Sequence, residues 1–138
     1  MITKSARPTG TGAPGYAQTL PRTPEAAGRA RLLVSTALSA WGKEELGYAG
    51  SQIVSELVNN AVNHTRSSAI QVVISRDFNG VRIGVVDRSQ DTPKVRYPDE
   101  NAESGRGLLL VAALSAAWGY ERKQWGKVVW AELAGEGK

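Results

Sequence analysis

Residues 55–64 read Ser-Glu-Leu-Val-Asn-Asn-Ala-Val-Asn-His, and this stretch indicates the fold and the function more than any other. Apolar residues recur with helical spacing at positions 53, 54, 57, 58, 61 and 62, which predicts a helix with one buried stripe. Glu56, Asn60 and His64 are four residues apart, so they form one ridge along an edge of that stripe. An amide oxygen is able to ligate a hard cation, and a carboxylate is able to hold a water molecule or take a proton. Polar residues at the rim of a helix are commonly only solvated, so the ridge alone does not decide between a site and a surface.

The composition is that of a globular protein, and its charges are spread along the chain. At 138 residues, with 41% hydrophobic and 22% charged residues, the chain has room for one domain with a hydrophobic core. The absence of cysteine and the single histidine exclude disulfides, thiolate metal sites and multi-histidine metal centres. Three of the 17 basic residues precede the first acidic residue, Glu25, so 14 basic residues face 13 acidic ones from there on. We therefore expect no direct nucleic-acid partner. Without an apolar run long enough for a membrane span or a secretory segment, we also expect no membrane association and a cytoplasmic location.

Glycine, proline and hydrophobic periodicity predict the order of elements. Residues 1–15 are expected to form a disordered tail, and residues 16–138 the folded domain. The predicted elements, in chain order, are an edge strand at 16–20, a helix capped by Thr23 and ending near Gly42, a helix at 49–64, strands at 69–76 and 81–87, a polar loop at 88–104, a helix at 105–117, and strands at 118–123 and 128–133. This order predicts an α+β fold, with an antiparallel or mixed sheet and helices packed on one face.

Two further segments hold residues that suit ligand binding. Asp87 ends an otherwise apolar strand, where it would either start a turn or accept a hydrogen bond from a buried ligand. Gly105 and Gly107 flank Arg106 at the predicted start of a helix, where free backbone N–H groups and the helix dipole favour an anion such as phosphate. Each segment also has a purely structural explanation, a turn in the first case and a loop-to-helix join in the second.

Taken in their order along the chain, the E-x-x-x-N helix, the strand ending in Asp87 and the G-x-G-L helix start resemble the GHKL (histidine-kinase-like) ATPase domain family. That family includes histidine kinases, gyrase-type ATPases and bacterial anti-sigma serine kinases. The resemblance covers about residues 16–133. Through E-L-V-N-N-A-V-N-H, E-S-G-R-G-L-L-L-V and G-K-V-V-W-A-E-L, it is most similar to stand-alone anti-sigma factor serine/threonine kinases. It implies a two-layer α/β sandwich of the Bergerat type, with a mixed, mostly antiparallel sheet.

The resemblance also implies cofactors, ATP and Mg²⁺, and roles for single residues. The implied nucleotide-binding residues are Asn60, Asp87, Gly105, Arg106 and Gly107. Asn60 would be the metal ligand, holding Mg²⁺ against the phosphates. Glu56 would be the catalytic residue that polarises the attacking hydroxyl group or water. Asp87 would accept the adenine amino group, and the two glycines would shape a lid over the phosphates. These roles agree with phosphoryl transfer, in which positioning and charge neutralisation contribute most.

The sequence departs from the family pattern close to the expected nucleotide. The usual D-x-G-x-G box begins at Asp87, but Ser89 and Asp91 replace its glycines, and side chains there restrict a close backbone approach. A threonine that commonly supports adenine recognition corresponds to Val128 in this reading, which removes a hydroxyl group. Whether the chain is an active enzyme is therefore left open.

These observations lead to one expected function and two alternatives. The expected function is that of a cytoplasmic ATP-binding regulator that sequesters a sigma factor and phosphorylates a Ser or Thr of an antagonist protein. Its partners would be a sigma factor, an anti-anti-sigma antagonist or both, and a homodimer is left open. The first alternative is a non-catalytic protein-binding module with a degenerate nucleotide site. The second is a GHKL ATPase with another regulatory target, since a fold does not fix a function.

Overall fold

Six strands and three α-helices make up the part of the chain that the computed structural model describes. This part is residues 7–8, 15–65, 67–77, 80–88 and 102–134, with side chains described except at 7–8, 77 and 102–107. In chain order the elements are β1 (Arg7–Pro8), β2 (Gly15–Pro21), α1 (Ala26–Ala40), a 3₁₀ helix (Glu44–Leu46), α2 (Gly47–His64), β3 (Ala69–Asp77), β4 (Gly80–Asp87), α3 (Ala102–Leu114), β5 (Ala117–Lys123) and β6 (Gly126–Ala134). Within the predicted tail, residues 7–8 pair with Tyr16 and Ala17 of β2. The other residues before Gly15 lie outside the described ranges.

The described strands form one sheet, in the spatial order β1-β2-β3-β4-β6-β5. Every pair of neighbouring strands in these ranges is antiparallel. Two of these pairs are hairpins: Asp77 pairs with Gly80, and Lys123 pairs with Gly126, so two residues separate the paired ends in each. The predicted α+β fold with two layers is confirmed.

One face of the sheet is buried under the helices. Side chains alternate along the strands, and the members that point to this face are buried: Ile70, Val72, Ile74, Val81, Ile83, Val85, Val129, Ala131 and Leu133. Helix α2 contacts α1, α3, β4 and β6 and thus lies at the centre of the helix layer. Its predicted stripe is buried as expected, except that Val62 is half-buried at the edge of the core. The 3.6-residue period of α2 and the two-residue period of the strands therefore build one common core.

The opposite face of the sheet is open and carries aromatic and charged side chains. Trp130 lies flat on it, because Gly119 on the neighbouring strand leaves room for the indole ring: a Cβ at Gly119 would be 3.0 Å from a ring carbon. The guanidinium carbon of Arg82 is 4.2 Å from the ring centroid of Trp130, and Arg82 also pairs with Glu132 at 3.5 Å. Trp130 is therefore a residue of the open face and is not part of the core under the helices.

Helix α1 begins later than predicted and ends as predicted. The N–H of Ala26 donates to the carbonyl oxygen of Thr23 at 3.0 Å, so residues 23–25 form a turn before the helix, and the predicted cap at Thr23 is wrong by two residues. At the other end, Gly42 adopts a φ of 70°. Backbone hydrogen bonds of the Schellman type close the helix there.

Helix α3 begins three residues earlier than predicted. It spans Ala102–Leu114, so Gly105 and Gly107 lie inside the helix and do not introduce it. A glycine inside a helix costs only about 1 kcal/mol, and the three residues before Gly105 are compatible with a helix. The N–H groups that have no partner within a helix are those of its first turn. In α3 that turn ends before Gly107. Of the predicted loop at 88–104, residues 89–101 lie outside the described ranges.

Candidate functional site

The end of α2 and the end of β4 lie at the same end of the sheet. Only residues 65–68 connect α2 to β3, so His64 is close to where β3 begins. The start of β3 is also where β4 finishes, because Gln71 is opposite Val86. The fold thus carries Asp87 and the last turns of α2 to one end of the molecule, as the resemblance requires.

The polar ridge of α2 lies at the rim of the helix. Glu56 and Asn60 are half-buried, whereas His64, the last residue of α2, is exposed. The neighbouring positions Leu57 and Ala61 are buried in the core, which fixes the rotation of the helix and therefore the direction of the ridge. Half-burial leaves Glu56 and Asn60 accessible to a ligand on a rigid support.

Asp87 is a buried carboxylate with a lysine beside it. Its side chain is 1% exposed and that of Lys127 is 3% exposed, and Oδ1 of Asp87 is 3.5 Å from Nζ of Lys127. The two residues are directly opposite each other on β4 and β6. A buried charge is costly unless it is paired, so the lysine helps to make an ionised Asp87 tolerable in the interior. The expected acceptor for adenine therefore already faces a cation.

A close backbone contact holds this pair in place. Gly126, the residue before Lys127, has a φ of 156°. A Cβ added at Gly126 would lie 2.1 Å from the carbonyl oxygen of Asp87 and 2.6 Å from Cα of Arg88. Any other residue at position 126 would push the two strands apart. The start of β6 thus packs closely against the end of β4. This contact, the Gly126 clamp, fixes the Cα positions of Asp87 and Lys127.

Lys127 is the residue that sequence reasoning missed. The family's adenine-supporting threonine is expected at Val128, but Val128 is opposite Val86, and both are half-buried, on the open face of the sheet. The residue beside Asp87 on the helix side of the sheet is therefore Lys127. Alternation along β6 did not single it out, because Val128 and Val129 are both apolar.

The residues present suit a magnesium ion that a nucleotide brings with it. Among the described residues, no group of three or more His, Cys, Asp or Glu side chains is arranged to hold a metal ion. Asn60 would supply one amide oxygen. Mg²⁺ usually keeps several waters and is bound through one or two protein oxygens together with substrate phosphates. The single amide oxygen of Asn60 thus fits an ion held mainly by phosphates and water.

The position of residues 105–107 in α3 follows from where that helix ends and from its length. The N–H of Ala116, just after α3, donates to the carbonyl oxygen of Glu132 at 2.7 Å, near the end of the sheet opposite Asp87. The helix contacts α2 and, with 13 residues, is about 20 Å long, so residues 105–107 lie well away from that opposite end. Of the other predicted positions, the side chain of Arg106 and the whole of 89–101 lie outside what the structure describes.

Comparison with known proteins identifies the fold. The family model described as "Histidine kinase-like ATPase domain" matches residues 20–133. This match contains all of α1, α2, α3 and β3 to β5, and with them each residue of the candidate site. A search of curated proteins gave no match. No helix within the described ranges is long and apolar enough to cross a membrane.

Proposed function

Because this chain belongs to the histidine kinase-like ATPase domain family, we propose that it is a cytoplasmic ATP-binding regulator of the anti-sigma-factor and serine-protein-kinase class. In this proposal it binds ATP with Mg²⁺, sequesters a sigma factor and phosphorylates a Ser or Thr of a small antagonist protein. The observation that carries the proposal is the common location of Asp87 and the last turns of α2, with Asn60 half-buried on the α2 rim.

Each residue of the proposed site has a separate task. Asn60 holds Mg²⁺ through its amide oxygen, and Asp87 accepts the adenine amino group. Residues 105–107 lie along the phosphates. Glu56 orients the hydroxyl group of the antagonist and takes its proton. The bond between the γ-phosphorus and the bridging oxygen of ATP breaks, ADP leaves, and the hydroxyl oxygen forms the new bond to phosphorus.

The proposed partner surface includes the tip of the β5–β6 hairpin. Trp125 is 43% exposed there, and the guanidinium carbon of Arg88 is 5.7 Å from its ring centroid. Exposed aromatic and arginine side chains are typical of interface hot spots. Because this tip is next to Asp87 and Gly126, a partner bound to it would lie close to the nucleotide.

The Asp87–Lys127 pair favours a second candidate function. If Lys127 keeps the carboxylate occupied, the chain binds its partner without turning nucleotide over and acts as a protein-binding module. The two functions share the fold and the partner surface and differ only in phosphoryl transfer.

Transfer of radiolabel tests the proposed function. The purified chain is incubated with γ-³²P-labelled ATP, Mg²⁺ and a cytoplasmic fraction of its own cells, and labelled Ser or Thr residues are identified by mass spectrometry. We expect label on one small protein, lost with Glu56→Ala and kept with Glu45→Ala, which removes an exposed acid outside α2. Labelling that does not depend on Glu56 would contradict the kinase assignment. ATP binding without any labelling would favour the binding module.

A further inference from the structure

We propose that Lys127 sets the nucleotide affinity of this site by occupying the Asp87 carboxylate when no nucleotide is bound. The inference rests on the proposed ATP site and names the residue of this chain that competes with the base. In this account the amino group of adenine and the ammonium group of Lys127 are alternative donors to one acceptor.

The burial of the pair is the first argument. Both side chains are almost completely inaccessible, at 1% for Asp87 and 3% for Lys127. A base therefore reaches the carboxylate only after neighbouring groups have moved, and the ammonium group of Lys127 is in contact with Oδ1. Asp87 and Lys127 are paired in the β4–β6 ladder, and Gly126 lets the two strands lie close together, so the response to a base falls to the side chain of Lys127.

The strength of the two donors is the second argument. The ammonium group of Lys127, 3.5 Å from Oδ1 of Asp87, carries a full positive charge, so its attraction to the carboxylate includes a Coulomb energy that the neutral adenine amino group lacks. Displacing Lys127 also leaves an ammonium group that needs a new partner, because a buried unpaired cation is costly. The base thus replaces a stronger donor with a weaker one.

The neighbourhood of Lys127 is the third argument. Arg122 of β5 is opposite Lys127 on the side away from Asp87. Like charges that face each other across a strand pair destabilise the sheet. If the ammonium group of Lys127 moved away from Asp87 towards β5, it would approach this second cation. The arrangement therefore favours the Asp87–Lys127 ion pair.

Calorimetric titration of Mg²⁺–ATP into matched variants tests the inference. Lys127→Thr removes the charge and keeps a hydroxyl group, and we expect it to bind ATP at least ~10-fold more tightly than the unmodified chain, since the competing ion pair is gone. Lys123→Thr is the control, because Lys123 is on the same hairpin, is 43% exposed and pairs with Glu121. It should leave the affinity unchanged. Inorganic triphosphate, which has no base, should bind Lys127→Thr and the unmodified chain equally.

A measurement on the unmodified chain covers the case in which Lys127→Thr does not fold. Purine riboside triphosphate lacks the amino group of ATP. Because Lys127 already occupies Asp87, we expect the dissociation constants of the two nucleotides to differ by no more than ~3-fold. A freely accessible charged acceptor would give a much larger difference.

The outcomes separate the two proposals. If the unmodified chain binds ATP and Lys127→Thr binds it less than ~10-fold more tightly, or if the amino group alone improves affinity by more than ~3-fold in the unmodified chain, the competition is refuted and the ATP site stands. If neither chain binds ATP, the proposed function fails together with this inference.

Discussion

Replacing Lys127 by Met removes the cation beside a buried carboxylate, and we expect this single change to destabilise the fold strongly. The side chains of Asp87 and Lys127 are 1% and 3% exposed, with 3.5 Å between their charged atoms. Methionine fills much of the volume of the lysine stem, so packing is largely kept. What changes is that Asp87 loses its counter-ion in the interior. Breaking a buried pair in this way costs about 3–5 kcal/mol of the free energy of unfolding.

The double variant Asp87→Asn/Lys127→Met separates the charge effect from the packing effect. With both charges removed no unpaired ion remains, and replacing a whole buried pair is often close to neutral. We therefore expect the double variant to lose at most about 1 kcal/mol, which corresponds to a coupling energy of at least ~2 kcal/mol between the two positions. Lys123→Met is the control for charge at the hairpin. It should cost less than ~0.5 kcal/mol because that ion pair is exposed to solvent.

Urea denaturation without nucleotide, followed by circular dichroism and tryptophan fluorescence, gives these free energies. Equal slopes in denaturant concentration are needed for the comparison to be valid. A loss below ~1 kcal/mol for Lys127→Met, or a double variant as unstable as the sum of its single variants, would show that the pair does not stabilise the interior as argued.

Three further substitutions test separate parts of the site. Asn60→Ala should abolish the dependence of ATP affinity on Mg²⁺, measured by titration with and without the ion; a dependence that persists would remove Asn60 as the metal ligand. Glu56→Ala should leave the melting temperature nearly unchanged and lower phosphoryl transfer at least ~10²-fold, and a fully active variant would rule out the catalytic role. Gly126→Ala should cost about 2 kcal/mol or more, because the new Cβ would be 2.1 Å from the carbonyl oxygen of Asp87. Gly47→Ala, where a Cβ meets nothing within 4 Å, should be tolerated, and similar thermal shifts for both glycine variants would argue against the clamp.

The helices and hairpins were predictable where the pattern of apolar residues was unambiguous. Periodic apolar positions gave the buried faces of α1 and α2, and glycine marked both the end of α1 at Gly42 and the turn before Gly126. The start of α3 was wrong because Gly105 and Gly107 were interpreted as a helix boundary. A helix passes through glycine when the cost of about 1 kcal/mol is repaid by tertiary packing, and Leu108 and Val111 are buried in this one.

The pattern of apolar residues did not predict that Lys127 is the charged partner of Asp87. At the start of β6, Val128 and Trp130 on the open face and Val129 on the helix side are all apolar. Alternation of hydrophobicity among these three residues therefore does not show which face of the sheet Lys127 occupies. Only the pairing of β6 with β4 determines that Lys127, and not Val128, is beside Asp87.

Titration of ATP into the purified chain, with and without Mg²⁺, tests the central claim most directly. We predict saturable binding with one site per chain, tightened by Mg²⁺ and competed by ADP, because in the proposed site Asn60 and the phosphates would hold the ion together. Absence of saturable binding at ATP concentrations up to about 1 mM, a common upper limit for substrate affinities of enzymes, with Mg²⁺ present and the chain folded, would contradict the account.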